Sequence, residues 1–594
     1  MKNNIYLSIL LILSVFFSTL IWNFLIIDFG NTQILGEYFE KKHHALNDPL
    51  RYLFFILFPI SVYLFFNFFF KKEKLNFDNL KFENVQNNEN IKYLFILNLI
   101  IISFLFLEFF SIEFPINKID IYHEGQKLSA PFKSSIDEKL WSGSYVTTGI
   151  INENLGIKVI WKILGHQSIG SMRYLQLLYI LSLKLSLAFL IYFITKNILL
   201  IYHLRLIFYL TSILLTLYLI DYDVGSANSL SYRDLPVLLC LIFFFQSLNN
   251  KKNINLSLIF LSFLSITSFF WSVDRAINVN FFIIFMCFFL FLNNQNKKIL
   301  TILILVLFFW IIFYLYLDNE FKFFIYNTVS VLKNQNYIHG IIHPQPFSDL
   351  PNSSRATKSL LLIILSLLIS LSFLFRDKIK YSNNLKVIII TLSFVSFCSY
   401  LYALGRSDGG HIKQTTGILI LFFSTFILFN LLKFLEKFYN SKLEKITILS
   451  LIIIFIFNLK VDLKNILNYS DRFNEFVFLE DKKYLSDEQN YLVENITPLL
   501  ENYDCIQLFT NDSALPYLLK KPNCSKYYFI YSLGSVADQN DLIRNINNTE
   551  FIIYRGQTDN WGISPQKKLT IVNNYINSEF LKTKKILDWE IKYK

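Results

Sequence analysis

The chain has 594 residues, of which 54% are apolar and only 17% charged, and its mean hydropathy is +0.42. Globular proteins carry about 25% charged residues, so this composition excludes a disordered chain or an ordinary cytosolic enzyme and points to a polytopic α-helical membrane protein. The formal charge of +12 does not mark a nucleic-acid binder, because Lys and Arg lie scattered at the ends of apolar segments and form no basic domain.

Taken in chain order, thirteen nearly charge-free runs predict membrane helices, at 5–27, 51–70, 91–112, 174–195, 199–220, 235–248, 256–272, 277–292, 299–317, 359–375, 386–402, 416–432 and 446–459. The first follows only Lys2, is longer than a signal-peptide core and lacks a small-x-small cleavage site, so it reads as a retained helix. With the N-terminus inside, residues 1–4 and the cytoplasmic connections hold 20 Lys or Arg in 73 residues, against 18 in 159 for the opposite set. That bias predicts an N-in orientation and places everything after about 460 outside. The expected organisation is 1–92 as two N-terminal helices with a cytoplasmic loop, 93–460 as a helical core with long outer loops at 113–173 and 318–358, and 461–594 as a small extracytoplasmic α/β domain. Long connections are usually functional or disordered, so the outer face is where the chemistry is expected.

The first long outer loop opens with Asp120-Ile121-Tyr122-His123-Glu124-Gly125. Three titratable groups near the membrane plane suit a general base, because partial desolvation tunes carboxylate and imidazole pKa values; a hydrated loop start is the plainer alternative. In the fourth run Lys184 is a charge in mid-membrane, set either to pair or to snorkel, and Glu108 stands nearer a helix end. Asp221 and Asp223, at i and i+2, can share a hard divalent cation such as Mg or Mn, or can simply solvate a helix end. Arg233 closes the same loop. Asp274 and Arg275 read as a local ion pair. His339 and His343 have zinc-ligand spacing, but Gly340 and Pro344 oppose a helix there. Between two late helices, Gly405-Arg406-Ser407-Asp408-Gly409-Gly410-His411-Ile412-Lys413 gathers Arg406, His411 and Lys413 on a flexible turn that can close around a phosphate.

Beyond 460 the pattern predicts strands at 505–509, 527–531 and 551–554, with helices at 514–521, 538–547 and 565–580. No Gly-rich phosphate loop opens these helices, which argues against nucleotide binding. Cys240, Cys287 and Cys398 lie in membrane runs and read as inert. Cys505 and Cys524 either remain thiols or close a disulfide loop of about 20 residues, worth on the order of 3 kcal/mol in an oxidising compartment.

A polytopic N-in bundle, an acid soon after a helix in a long outer loop, an acidic pair in the next outer loop and an exported C-terminal domain together resemble the GT-C superfamily of integral-membrane glycosyltransferases, in particular its protein mannosyltransferase and aminoarabinose transferase branch. The resemblance implies sugar transfer from a polyprenyl-phosphate donor to a glycan, lipid or protein acceptor at the outer face of a membrane, expected to be the bacterial inner membrane, with inversion and no nucleic-acid partner. It implies Asp120 as the catalytic carboxylate, with Glu124 as nearest substitute and His123 steering, and Asp221 and Asp223 as the acidic pair. Arg406, His411, Lys413 and Arg233 would then hold the donor phosphate. The two helices before the best-fitting loop depart from the family plan; were 28–51 the first core loop, the acid would be Asp28 or Glu37. The loop 113–173 is preferred because it can hold membrane-lying helices, as around Asn154–Leu164. A lipid-linked oligosaccharide polymerase or ligase and a transporter or flippase are the competing readings.

Overall fold

Each of the thirteen apolar runs is helical in the computed structural model, which describes residues 2–29, 38, 41–81, 90–198, 200–217, 219–222, 228–248, 256–375, 381–438, 441–555 and 568–594. The first three are α1 (Lys2–Ile21), α2 (Asn47–Phe65) and α3 (Asn90–Ser111). The first long connection folds into α4 (His123–Asp137) and α5 (Gly156–Leu164), the latter preceded by a π-helical turn at Ile151–Leu155. Then come α6 (Ile169–Asn197), α7 (Tyr202–Leu217), α8 (Leu235–Leu248), α9 (Leu256–Trp271), α10 (Val273–Leu292) and α11 (Asn296–Leu317). The run ends with α12 (Asn319–His339), α13 (Ser353–Phe375), α14 (Asn383–Gly405), the short α15 (Gly409–Gln414), α16 (Gly417–Leu435) and α17 (Ser441–Asn458). A helix rises about 1.5 Å per residue, so about 20 apolar residues cross a bilayer core. Among the described residues nine helices meet that length and composition, while α7 and α9 are apolar but shorter.

Burial sorts these helices into layers. In α14, 78% of the most apolar window is buried and in α6 67%, whereas in α11 only 6% is. Leu183, Leu187, Leu190 and Ile194 of α6 pack with Phe208 and Leu210 of α7, Leu241 and Phe245 of α8 and Ile388 and Leu392 of α14 in the main core. Helix α11 turns Leu303, Leu307, Ile311 and Leu315 outward, the distribution expected of a helix facing lipid. The connection after α2 and the ends of α10 and α13 meet at one end of the bundle, where Asn76 N–H donates to Leu374 O at 2.8 Å and Asn293 Nδ2 to Leu80 O at 3.2 Å. The connections expected on the outer face gather at the other end.

Two stretches differ from the sequence reading. Residues 318–358, expected as a loop, begin with the 21-residue α12, which stops where Gly340 adopts φ of 63° and ends the helix in the left-handed conformation that glycine accepts most easily. His339 therefore ends a helix, while His343 sits in the turn beyond it, bonded through Nε2 to the Tyr400 hydroxyl at 2.9 Å. The pair does not form a metal site.

After α17 come α18 (Leu463–Leu467), α19 (Tyr469–Val477) and α20 (Asp487–Ile496), then a four-stranded sheet. Its strands are β1 (Gln507–Phe509), β2 (Phe551–Arg555), β3 (Lys582–Ile586) and β4 (Trp589–Tyr593), in the order β1-β2-β4-β3. β1 and β2 are parallel, joined by a crossover containing α21 (Val536–Ile546); β4 lies antiparallel to both β2 and β3. Leu508, Phe551, Ile553 and Ile591 pack on Leu492 and Ile496 of α20, and Phe509 and Ile552 pack on Leu542 of α21 and Val572 of α22 (Thr570–Glu579). The predicted strand at 527–531 is not a strand: Ile530–Ser532 is a 3-10 turn, and Gln507 and Asn523 side chains bond the Tyr527 carbonyl at 2.9 Å each. β3 escaped the reading because Lys582-Thr583-Lys584-Lys585 is exposed; lysine-rich edge strands lack the apolar alternation by which strands are read. Cys505 and Cys524 are bonded, with Cα atoms 5.1 Å apart.

This tail packs closely against the bundle. Ile119 N–H donates to Tyr484 O at 2.8 Å and Tyr145 N–H to Lys526 O at 2.9 Å. Phe476, Tyr484 and Tyr517 share a core with Ile119, Leu128, Trp161 and Met172.

Candidate functional site

The connection after α3 carries the first wall. Asp120 accepts the amides of Tyr122 and His123 at 3.0 Å each through Oδ1, while its Oδ2 receives His123 Nδ1 at 2.6 Å. Burial works to raise the Asp120 pKa, but the His123 ring and these amides outweigh it and hold the carboxyl at about 2. Asp120 is thus a carboxylate at neutral pH. With Nδ1 donating to it, the neutral His123 ring carries its acceptor lone pair on Nε2. Both side chains are about half exposed, 51% and 56%, so the pair is open to a substrate.

Glu124 has a different environment. Arg173 Nε and Nη2 reach its two oxygens at 2.7 and 2.8 Å, and Oε2 also accepts the Asp120 amide at 2.9 Å. The same guanidinium bonds the carbonyls of Pro115 and Asn117 at 2.8 and 2.9 Å. Gripped bidentately by Arg173, Glu124 fastens the Asp120 turn to α6.

The tail clamps this turn from the other side. Ala514 N–H donates to Ile121 O at 3.0 Å and the Ser513 hydroxyl to Tyr122 O at 2.7 Å. At Gly125 a Cβ would lie 2.2 Å from Ala514 N, so only glycine permits the approach.

The second wall is the turn between α14 and α16. Asp408 caps α15 by accepting His411 N–H at 3.0 Å, and its carboxylate also binds His411 Nδ1 at 2.7 Å and Arg406 Nε at 2.7 Å. Burial raises the Asp408 pKa, but these partners hold it below the usual carboxylate range. Arg406, His411 and Gln414 face the cavity. Lys413 does not: it is exposed and absent from the lining, because on a helix positions 411 and 414 share a face that 413 leaves.

The third wall comes from the connection between α7 and α8. Arg233 Nη1 donates to the Tyr402 hydroxyl at 3.4 Å, and Lys127 Nζ lies 5.3 Å from the Tyr232 ring. Beneath them Arg275 links two connections rather than forming only a local pair: it bonds Asp234 as well as Asp274 (3.1 Å), and lies 4.0 Å over the Tyr402 ring. The buried Glu153 accepts both hydroxyls and both amides of Thr147 and Thr148, at 2.7–3.0 Å.

These walls enclose one cavity of about 430 Å³, lined among others by Asp120, His123, Glu124, Lys127, Glu153, Asp221, Arg233, Arg406 and His411. A small extension of about 80 Å³ continues past His123, Arg233 and Arg406 to Tyr122, His339, Phe529 and Tyr531, so the tail supplies part of the enclosure. Asp221 stands on the rim, exposed, and Asp223 lies outside the described residues, as does Glu37. Among the described residues no three His, Cys, Asp or Glu side chains gather as a metal site, and the expected pair of Asp221 with Asp223 is only half within those residues. Arg173, Glu153, Lys127 and Tyr402 were not singled out by sequence. Arg173 and Glu124 are 49 positions apart, and Glu153 lies in an Asn-rich stretch with no motif spacing.

No protein-family model matches the chain, and no curated protein matches it. Among solved structures, an oligosaccharyltransferase from Archaeoglobus fulgidus, tethered by a disulfide to an acceptor peptide containing the NVT sequon, aligns with 82% of this chain and 72% of its own, at 9% identity and a TM-score of 0.41. That score is too low to bear on the reaction, and the functional reading rests on the cavity itself.

Proposed function

We propose that the protein is a membrane glycosyltransferase that moves a sugar from a polyprenyl-phosphate donor to an acceptor hydroxyl at the extracytoplasmic face, with inversion. The observation that carries this reading is the convergence of a carboxylate-imidazole pair and a wall of basic groups in one cavity at one end of the helical bundle. The proton of the acceptor hydroxyl passes to His123 Nε2, and ionised Asp120 stabilises the resulting imidazolium. An Asp held near 2 is a weak base on its own. The acceptor oxygen bonds to the anomeric carbon from the face opposite the phosphate. The bond from that carbon to the phosphate oxygen breaks, and its electron pair leaves with polyprenyl phosphate. Arg233 and Arg406 stabilise the growing negative charge, and Glu153 fixes Thr147 and Thr148 beside them.

Purified protein in detergent, given a polyprenyl-phosphate-linked sugar and membrane glycolipid extract, is expected to release polyprenyl phosphate and form a glycosylated product. Passage of an unchanged lipid-linked sugar across proteoliposomes, with no polyprenyl phosphate released, would assign the fold to a transporter instead.

A further inference from the structure

A second and larger cavity, of about 1310 Å³, adjoins the first between α3, α7 and α17, and Asn117, Ile220 and Asp221 belong to the walls of both. At its inner end Lys184 of α6 binds Glu108 of α3 at 3.0 Å and lies 4.1 Å over the Tyr222 ring. The intramembrane lysine is therefore paired and does not snorkel. The walls carry four acidic side chains, Glu108, Glu113, Asp221 and Asp462, against two lysines, Lys184 and Lys460. Leu214 of α7 and Phe455 of α17 give an apolar side, while Ile116 and Ile454, 49% and 47% exposed, stand at the rim.

The two chambers thus differ in charge. The first presents Arg233 and Arg406 and suits a phosphate; the second, where Lys184 is paired with Glu108 and carboxyl groups outnumber lysines, disfavours one. Its size and its mixed walls fit an amphiphile, with a polar head against the acids and a tail along Leu214 and Phe455.

We propose that this chamber binds the acceptor, and that the acceptor is a lipid whose head bears hydroxyl or amine groups and no phosphate at the binding end. The proposal rests on the glycosyl-transfer reading and adds the acceptor class to it. The head reaches the His123–Asp120 pair through the shared boundary at Asp221, and the donor phosphate occupies the basic wall opposite.

The test places a cysteine at Leu214 (L214C) in the full-length protein in nanodiscs and follows its labelling by a polar maleimide. Monoglucosyl diacylglycerol is expected to slow labelling at least fivefold, and undecaprenyl phosphate to leave it unchanged. Protection by undecaprenyl phosphate would overturn the proposal by giving the chamber to the carrier, and protection by neither lipid would overturn it as well. The reading needs no turnover, so it fails or holds independently of sugar transfer. Glu108→Gln provides a second measurement: freeing Lys184 is expected to make undecaprenyl phosphate protective, and an unchanged lipid preference in a monodisperse, folded variant would also contradict the proposal.

Discussion

At the scale of single residues, the informative pairs divide by sequence distance. Asp120 with His123, and Asp408 with His411, are three apart, and a turn brings such neighbours together. Those contacts were legible as clusters of titratable residues. The grip of Arg173 on Glu124 was not, because only tertiary packing joins α4 to α6. The Asp120 pKa, lowered to about 2, gives a pH expectation with a definite sign. A depressed carboxyl contributes stability above its ordinary value near 4, and that contribution is lost as pH falls toward 2; half-exposed Asp120 makes it small. Above pH 4 Asp120 is therefore already ionised, and its own protonation does not limit transfer there. His123→Gln is expected to lower kcat by about 10²–10⁴ in steady-state kinetics; an unchanged kcat in this variant would contradict the role given to His123. Arg173→Ala leaves the half-buried Glu124 carboxylate without its partner and should destabilise the protein by about 1–3 kcal/mol, measurable as a lower thermal midpoint in detergent.

At the scale of elements, apolar runs revealed helices reliably because lipid forbids unsatisfied backbone and leaves few alternatives. Elements at the water boundary were less legible. Helix α12 carries apolar and polar residues together, β3 is a lysine-rich edge, and residues 527–531 look like a strand but are held by side chains of Gln507 and Asn523. The contact of the tail on α4 is the element-scale feature most open to test. Gly125→Ala places a methyl where Ala514 N stands, so limited proteolysis should cut the tail faster and transfer should fall. Equal protease resistance and full activity would show that the approach relaxes without loss. The cap of α15 makes a related prediction. Asp408→Ala removes an N-cap worth about 1 kcal/mol and releases both Arg406 and His411, so KM for the donor should change more than kcat for bound substrate, as steady-state kinetics at saturating acceptor would read.

At the scale of the whole molecule, connections separated by hundreds of residues meet in one cavity, and two chambers of opposite character share a boundary at Asp221. Composition and charge bias disclosed the membrane class and an expected sidedness, but no pattern in the chain could disclose a cavity, since its shape is set by how the helices pack. Neither could spacing decide that Lys413 turns away while His411 turns in. Metal dependence is read by chelation: loss of transfer in EDTA that Mg or Mn reverses would bring Asp221 and residues beyond the described ones into the mechanism. The most direct measurement is the anomeric configuration and yield of product from a polyprenyl-phosphate sugar, read by NMR for the native protein and for Asp120→Asn at matched expression and folding. The account predicts an inverted product from the native protein and a loss of at least about a thousandfold in the variant; a retained configuration, or full activity in Asp120→Asn, would contradict it.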